Sequence, residues 1–149
     1  MKYLQDRASA ISPEEDLDKL LKSGKPLRIK LGVDPTAPDV TLGWYAILRA
    51  LSKFQEYGHT AVLILGEFTA QVGDPSGKSE TRSKLESEEI NENSKGVLPI
   101  IKNILNKGKL EIVSNNDWLS KLTSSELVNL SSSTTLAQML EREDFSSRY

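Results

Sequence analysis

The chain contains no cysteine. That absence excludes disulfides, thiolate nucleophiles and metal sites built on sulfur. Histidine is almost missing as well, with His59 alone in the sequence. No histidine-based metal site is expected, because a lone ring has no partner of its own kind. Long apolar runs are lacking: the longest, Ala61 to Leu65, is far short of the roughly 20 residues that span a bilayer. No membrane partner is therefore expected. The N-terminus is polar and charged, without the apolar core of a secretory signal, so a cytoplasmic location is expected. An excess of either charge is missing too. Nineteen basic residues face twenty-one acidic ones, a net charge of −2, so nothing global attracts nucleic acid. Such a partner would need a local basic patch or a further domain. Lys102, Lys107 and Lys109 read as a solvated face or as a small patch diluted by Glu111 and Asp117.

What is present is a chain of 149 residues, 38% apolar, enough for one domain with a sizeable core. Ser12-Pro13-Glu14-Glu15 has the form of a capping box with proline at the first helical position. Leu17, Leu20 and Leu21 follow at helical spacing, and Gly24 offers a stop. Residues 1–24 thus read as a helical arm. From Leu27 to Val33 apolar residues alternate, the pattern of a strand. Leu42 to Tyr57 reads as a helix with Leu48, Leu51 and Phe54 toward a core, closed by Gly58. Thr60 to Leu65 reads as a strand buried on both faces. Strand, helix and strand in that order predict a parallel sheet.

A long loop is expected from Gly66 to about Ser83, then a helix from Ser87 to Leu98 that Pro99 kinks or ends. Lys109 to Val113 predicts a third strand. Thr123-Ser124-Ser125-Glu126 and Thr135-Leu136-Ala137-Gln138 are further capping boxes, so the last third reads as helical, broken at Ser131-Ser132-Ser133. Trp118 reads as a core anchor and His59 as a local hydrogen-bonding residue. The fold class is α/β: a Rossmann-like parallel sheet flanked by helices.

Two segments carry candidate chemistry. The first is Val33-Asp34-Pro35-Thr36-Ala37-Pro38-Asp39-Val40-Thr41-Leu42-Gly43-Trp44, where a strand hands over to a helix. In open parallel sheets ligands bind beyond the carboxyl ends of strands, and a helix N-terminus suits a phosphate. Gly32 and Gly43 allow close approach of backbone to a ligand. Asp34 and Thr36 suit an amino group or a ribose. The same residues also read as a rigid connecting turn in which Asp39 or Thr41 caps the helix. The second segment, Gly73-Asp74-Pro75-Ser76-Gly77-Lys78-Ser79, ends like a P-loop but has only three residues between its glycines where four are needed. Asp74, Lys78 and Arg82 recur every fourth residue, so one carboxylate and two cations can share a side, suited to an amino acid plus a phosphate. A solvated loop with incidental charges fits these residues equally well.

Pro26-Leu27-Arg28-Ile29-Lys30-Leu31-Gly32-Val33-Asp34-Pro35-Thr36-Ala37-Pro38-Asp39, Phe54-Gln55-Glu56-Tyr57-Gly58-His59, Phe68-Thr69-Ala70, the Gly73-to-Arg82 loop, Asn116-Asp117-Trp118-Leu119-Ser120-Lys121-Leu122 and Met139-Leu140-Glu141-Arg142-Glu143-Asp144-Phe145 resemble the bacterial tyrosyl-tRNA synthetase family in order and spacing. The resemblance covers essentially the whole chain. It implies a class I synthetase catalytic domain that joins tyrosine to ATP, releases pyrophosphate and passes the tyrosyl group to tRNA. Mg2+ would accompany ATP without a protein metal site. By position, Gly32, Asp34, Thr36 and Gly43 would line the ATP site. Asp74 would meet the tyrosine ammonium group, and Lys78 and Arg82 would reach pyrophosphate.

The chain departs from the family in two ways. Where the family has His-x-Gly-His, this sequence has Thr41-Leu42-Gly43-Trp44. Thr41 keeps one hydroxyl donor, and the bulk of Trp44 would intrude on ATP. The sequence also ends at Tyr149, which implies a truncated catalytic domain, residues 1–149 forming a single partial domain with an open face. Two functions follow: an impaired tyrosine–tRNA ligase, with tRNA bound only if missing domains are supplied, or a non-catalytic binding or regulatory module. The latter would pair with itself as a homodimer or with a synthetase subunit.

Overall fold

A computed structural model describes residues 2–72, 85–141, 143–147 and 149. The elements run α1 (Lys2–Gln5), α2 (Glu14–Lys22), β1 (Arg28–Val33), α3 (Leu42–Glu56), β2 (Thr60–Leu65), α4 (Glu67–Val72) and α5 (Ser87–Ile104). A 3-10 turn (Lys107–Lys109), β3 (Leu110–Ser114), α6 (Asn116–Leu119), α7 (Ser124–Ser132), α8 (Leu136–Leu140) and α9 (Glu143–Ser146) complete the order. The strands form a three-stranded parallel sheet in the order β1-β2-β3. The chain divides into two compact units.

The first unit holds residues 1–31, 40–63 and 98–112. Its buried apolar side chains are Leu48 and Leu51 of α3, Ala61, Val62 and Leu63 of β2, and Ile101 and Leu105. Each large one contributes about 1.5–3 kcal/mol by leaving water. The α3 helix stops as expected: Gly58 takes φ +94°, and its N–H returns to the Gln55 carbonyl at 3.0 Å. His59 then turns inward, and its Nδ1 accepts from the Leu27 N–H at 3.1 Å. One step on, the Thr60 N–H donates to the Leu27 carbonyl at 2.8 Å and starts the β1–β2 ladder.

Gln55 organises the approach to β3. It is buried, with its Nε2 donating to the carbonyls of Asn106 (3.1 Å) and Lys109 (2.7 Å). Its Oε1 accepts from the Asn106 N–H at 2.9 Å. One amide side chain thereby satisfies three backbone groups of the turn before β3. On the sheet surface, the Arg28 guanidinium of β1 forms a two-point pair with Glu111 of β3, Nη2 to Oε2 at 2.5 Å and Nε to Oε1 at 3.3 Å. That carboxylate raises the arginine above its ordinary value.

The second unit holds residues 32–39, 64–97 and 113–149. Leu65, Ala70, Ile90 and Val97 are its buried apolar side chains, and Pro35 is fully buried. Both expected C-terminal capping boxes form. Thr123 accepts from the Glu126 N–H at 3.3 Å while the Glu126 carboxylate accepts from the Thr123 N–H at 2.8 Å, and Thr135 pairs with Gln138 in the same way. The break between α7 and α8 falls on the serine run, with Ser133 as the C-cap of α7.

Several expectations are corrected. The Ser12 capping box does not form. The first intrahelical bond runs from the Leu17 N–H to the Pro13 carbonyl, so Pro13 takes the cap position and Ser12 lies one residue outside. The loop expected after Gly66 begins with a helix, α4. Pro99 does not end α5, which continues to Ile104. The third strand begins and ends one residue later than expected. Trp118 is 45% exposed and anchors no core.

Replacing Gln55 by leucine strands three backbone groups. We expect Gln55→Leu to cost at least about 2 kcal/mol, since each unpaired buried group costs about 1–3 kcal/mol. Urea unfolding with an unchanged slope checks it. The second prediction concerns α7. Hydrogen bonds from the Thr123 amide first, and its hydroxyl second, hold the Glu126 carboxyl below its ordinary value. A folded value below the unfolded one adds stability above the usual carboxylate range, which is lost as pH falls through the lowered value. Amide exchange should therefore show α7 loosening below about pH 4, the ordinary glutamate range. Glu126→Gln should abolish that pH dependence.

Candidate functional site

Three strands end in the second unit, and each hands over to a polar group. β1 ends in Val33 and Asp34, β2 in Leu65, Gly66 and Glu67, and β3 in Ser114 and Asn115. Parallel strands aim their carboxyl ends the same way, so these side chains meet there. The Thr69 hydroxyl is the hub. It donates to Asp34 Oδ1 at 2.8 Å and accepts from Asn115 Nδ2 at 3.0 Å. Asn115 is buried. Its Oδ1 accepts from the Phe68 N–H at 2.9 Å, and its own N–H donates to the Leu65 carbonyl at 2.9 Å. Its amide orientation is thus set from both ends.

Gly66 makes this meeting possible. A Cβ at that position would stand 1.7 Å from Asp34 Oδ1 and 2.6 Å from Thr69 Oγ1. Only glycine lets the carboxylate and the hydroxyl lie against the β2 backbone. Beside it, Glu67 is held by two hydroxyls: Ser114 donates to Oε2, and Ser94 donates to Oε1 at 3.2 Å. Glu67, Gln71, Ser87, Ile90, Asn91 and Asn116 line a polar cavity of about 320 Å³.

The loop after β1 is held from several sides. The Thr36 N–H closes a tight turn on the Asp34 carbonyl at 2.8 Å, around the buried ring of Pro35. Pro38 lies against α5, where a Cβ on Gly96 would come within 2.6 Å of its carbonyl oxygen. Glycine inside a helix costs about 1 kcal/mol, and this close approach explains its presence. Asp34 and Thr36 are half-buried. Gly32 has open space where a Cβ would sit, so packing within the described residues does not require it.

Thr41, Gly43 and Trp44 belong to the first unit. Thr41 is the N-cap of α3, and its Oγ1 accepts from the Trp44 N–H at 3.3 Å. The cap expected at Asp39 or Thr41 is therefore Thr41. Capping uses the hydroxyl as an acceptor and leaves its proton able to donate elsewhere. Trp44 is half-buried, and Gly43 meets only Thr41 Oγ1 at 3.8 Å, an ordinary contact. Asp74, Lys78 and Arg82 lie outside the described residues. Among the described residues, no group of three or more acidic, cysteine or histidine side chains gathers to hold a metal.

Sequence reasoning reached Asp34 and Thr36 but gave no site role to Thr69, Asn115, Glu67 or Gly66. A signal was available: the rule that led to the end of β1 applies equally to the ends of β2 and β3. The central role of Gly66 predicts that Gly66→Ala displaces the Asp34 and Thr69 side chains. We expect it to lower stability by about 1–3 kcal/mol, the range for overpacking. Gly96→Ala should loosen residues 35–39 instead, and backbone amide shifts at Thr36 and Asp39 separate the two.

Comparison with known proteins identifies the family and the fold. Residues 22–149 match a family model described as tRNA synthetases class I (W and Y). A tyrosine–tRNA ligase from Carboxydothermus hydrogenoformans is 48% identical over 153 aligned residues, covering 100% of this chain and 37% of that protein. One from Thermotoga maritima is 48% identical over 139 residues, covering 93% of this chain and 34% of its own. The chain thus spans about a third of the length of these relatives. Among solved structures, a C-terminally truncated mitochondrial tyrosyl-tRNA synthetase from Aspergillus nidulans superposes with a TM-score of 0.69 at 24% identity. That match covers 91% of this chain and 42% of the other. A tyrosyl-tRNA synthetase from Archaeoglobus fulgidus, complexed with L-tyrosine, gives 0.67 at 21% identity, covering 87% of this chain and 38% of its own. At such identities the structural likeness speaks for the fold. With the family model matching most of the chain and its relatives nearly half identical, the chain belongs to the class I tRNA synthetases of the tryptophan and tyrosine type.

Proposed function

We propose that this chain carries the tyrosine- and ATP-binding part of a tyrosine–tRNA ligase, with the grip on ATP phosphates weakened. The observation that carries the reading is the Asp34–Thr69–Asn115 cluster at the strand ends, in a chain 48% identical to a tyrosine–tRNA ligase. In the reaction, the carboxylate oxygen of tyrosine attacks the α-phosphate of ATP. The bond to the β-phosphate oxygen breaks, tyrosyl-adenylate forms and pyrophosphate leaves. No covalent nucleophile on the protein is needed, so catalysis rests on positioning and on stabilising developing charge.

In this reading Asp34, fixed through Oδ1 by Thr69, accepts from the ligand with Oδ2. Gly32 and Thr36 offer backbone beside it. Asp74 takes the tyrosine ammonium group, while Lys78 and Arg82 meet pyrophosphate. Mg2+ arrives with the phosphates of ATP. Charging of tRNA would need the remaining two thirds of the family's length and would take place in the cytoplasm.

The weakness lies at the start of α3. By resemblance, Thr41 and Trp44 stand where the family places two histidine donors. Losing one such donor costs about 2.7–4 kcal/mol, roughly 100- to 1000-fold in rate. Thr41 retains a proton to donate, whereas Trp44 adds bulk. A second reading, a non-catalytic module that pairs with itself or with a synthetase subunit, draws on apolar side chains left in solvent. Leu127, Val128 and Leu130 of α7 and Leu136 of α8 are each more than half exposed.

Tyrosine-dependent exchange of pyrophosphate into ATP tests the first reading. We expect weak exchange, abolished by Asp74→Ala and raised at least tenfold in a Thr41→His, Trp44→His double variant. That variant gives up the α3 cap at about 0.5–2 kcal/mol, so its folding is checked by circular dichroism. A folded double variant without exchange would favour the non-catalytic module.

A further inference from the structure

The first unit contains a cavity lined by none of the residues assigned above to the synthetase reaction. It opens between the N-terminal helices and the end of α3, with a volume of about 350 Å³. That is the size of a small-ligand site. Leu4, Leu21, Phe54 and the rings of Tyr3 and Tyr57 supply apolar walls. The polar groups among its lining residues are sparse and share one sign. Lys25 and Lys53 are its basic lining residues, and none of the described residues lining it is acidic. Lys53 shares its charge with Glu56 at 2.5 Å and sits 5.4 Å from the centre of the Tyr57 ring. Lys25 is exposed and has no ion-pair partner among the described residues.

His59 adds a directed donor. Its Nδ1 accepts from the Leu27 N–H, so the neutral ring carries its proton on Nε2. Nε2 has no hydrogen-bond partner among the described residues, and His59 lines the cavity. The ring is kept in place by that backbone bond and lies 6.0 Å from Phe54, centre to centre. Aromatic walls, a ring N–H and two cations, one of them already paired with Glu56, define a complementary guest. It is flat, apolar over most of its surface, and carries one negative charge able to accept hydrogen bonds.

We propose that this cavity binds a small aromatic monocarboxylate, its ring between the tyrosine and leucine side chains and its carboxylate toward Lys25 and His59 Nε2. The site shares no lining residue with the strand-end cluster and needs no ATP. Phenylacetate is the probe, with phenylacetamide as its neutral counterpart and acetate as the ringless one. Titration of the isotopically labelled chain, followed by amide shifts, should give saturable binding of phenylacetate at about 1 mM or tighter, the strength expected of a guest this small. The shifts should centre on Gly24, Lys25, Gly58 and His59.

Phenylacetamide should bind about tenfold more weakly, and acetate should not saturate. Lys25→Gln and Tyr57→Ala both change exposed residues and should leave the fold intact. Each should weaken phenylacetate at least fivefold. Phenylacetamide binding as tightly as phenylacetate would overturn the proposal. So would undiminished affinity in both variants, shifts confined to Asp34, Thr69 and Asn115, or no saturation at all.

Discussion

The tightest constraint on the candidate site is the missing Cβ of Gly66. With any other residue there, Asp34 and Thr69 would be forced apart by an atom within 3 Å of both. Because the position is bare, a carboxylate from the end of β1, a hydroxyl from α4 and an amide from the end of β3 form one chain of hydrogen bonds over β2. Each member is oriented by a bond that does not involve a ligand. Asn115 is tied to the Phe68 amide, Thr69 to Asn115, and Asp34 to Thr69. Side chains aligned before a ligand arrives lose little entropy on binding.

The same economy of means recurs in the first unit, with backbone rather than ligand as the client. Gln55 and His59 are both polar, both buried, and both spent on main-chain groups that a turn leaves unpaired. A buried polar side chain is costly unless paired, and here the pairing fixes where α3 ends and where β1 and β3 begin.

Much of the fold was legible because it rests on local chemistry. Alternation in β1, the buried run of β2, the stop at Gly58 and the capping boxes at Thr123 and Thr135 each depend on residues within a few positions. Errors arose where the deciding partner was distant or the local signal ambiguous. Ser12-Pro13-Glu14-Glu15 permits two helix starts one residue apart, and the Pro13 carbonyl decided between them. Pro99 removes one hydrogen bond, which α5 tolerates within its 18 residues. At the site, Asp34 was readable from its strand end and its prolines. Thr69 and Asn115 become partners only across sequence separations of 35 and 46 residues. No periodicity reveals such pairs, and Gly96 likewise makes sense only once Pro38 is seen against it.

The central claim is that the strand-end cluster is a prearranged tyrosyl-adenylate site, with Thr69 as its hub. The most direct measurement is a calorimetric titration of the native chain and of Thr69→Val with a non-hydrolysable tyrosyl-adenylate analogue. Valine keeps the shape of threonine and removes the hydroxyl that joins Asp34 to Asn115. The account predicts one-to-one binding by the native chain and at least tenfold weaker binding by the variant, the loss expected when a charged group gives up its hydrogen bond. Equal affinity in the two proteins, or no binding by the native chain, would contradict it.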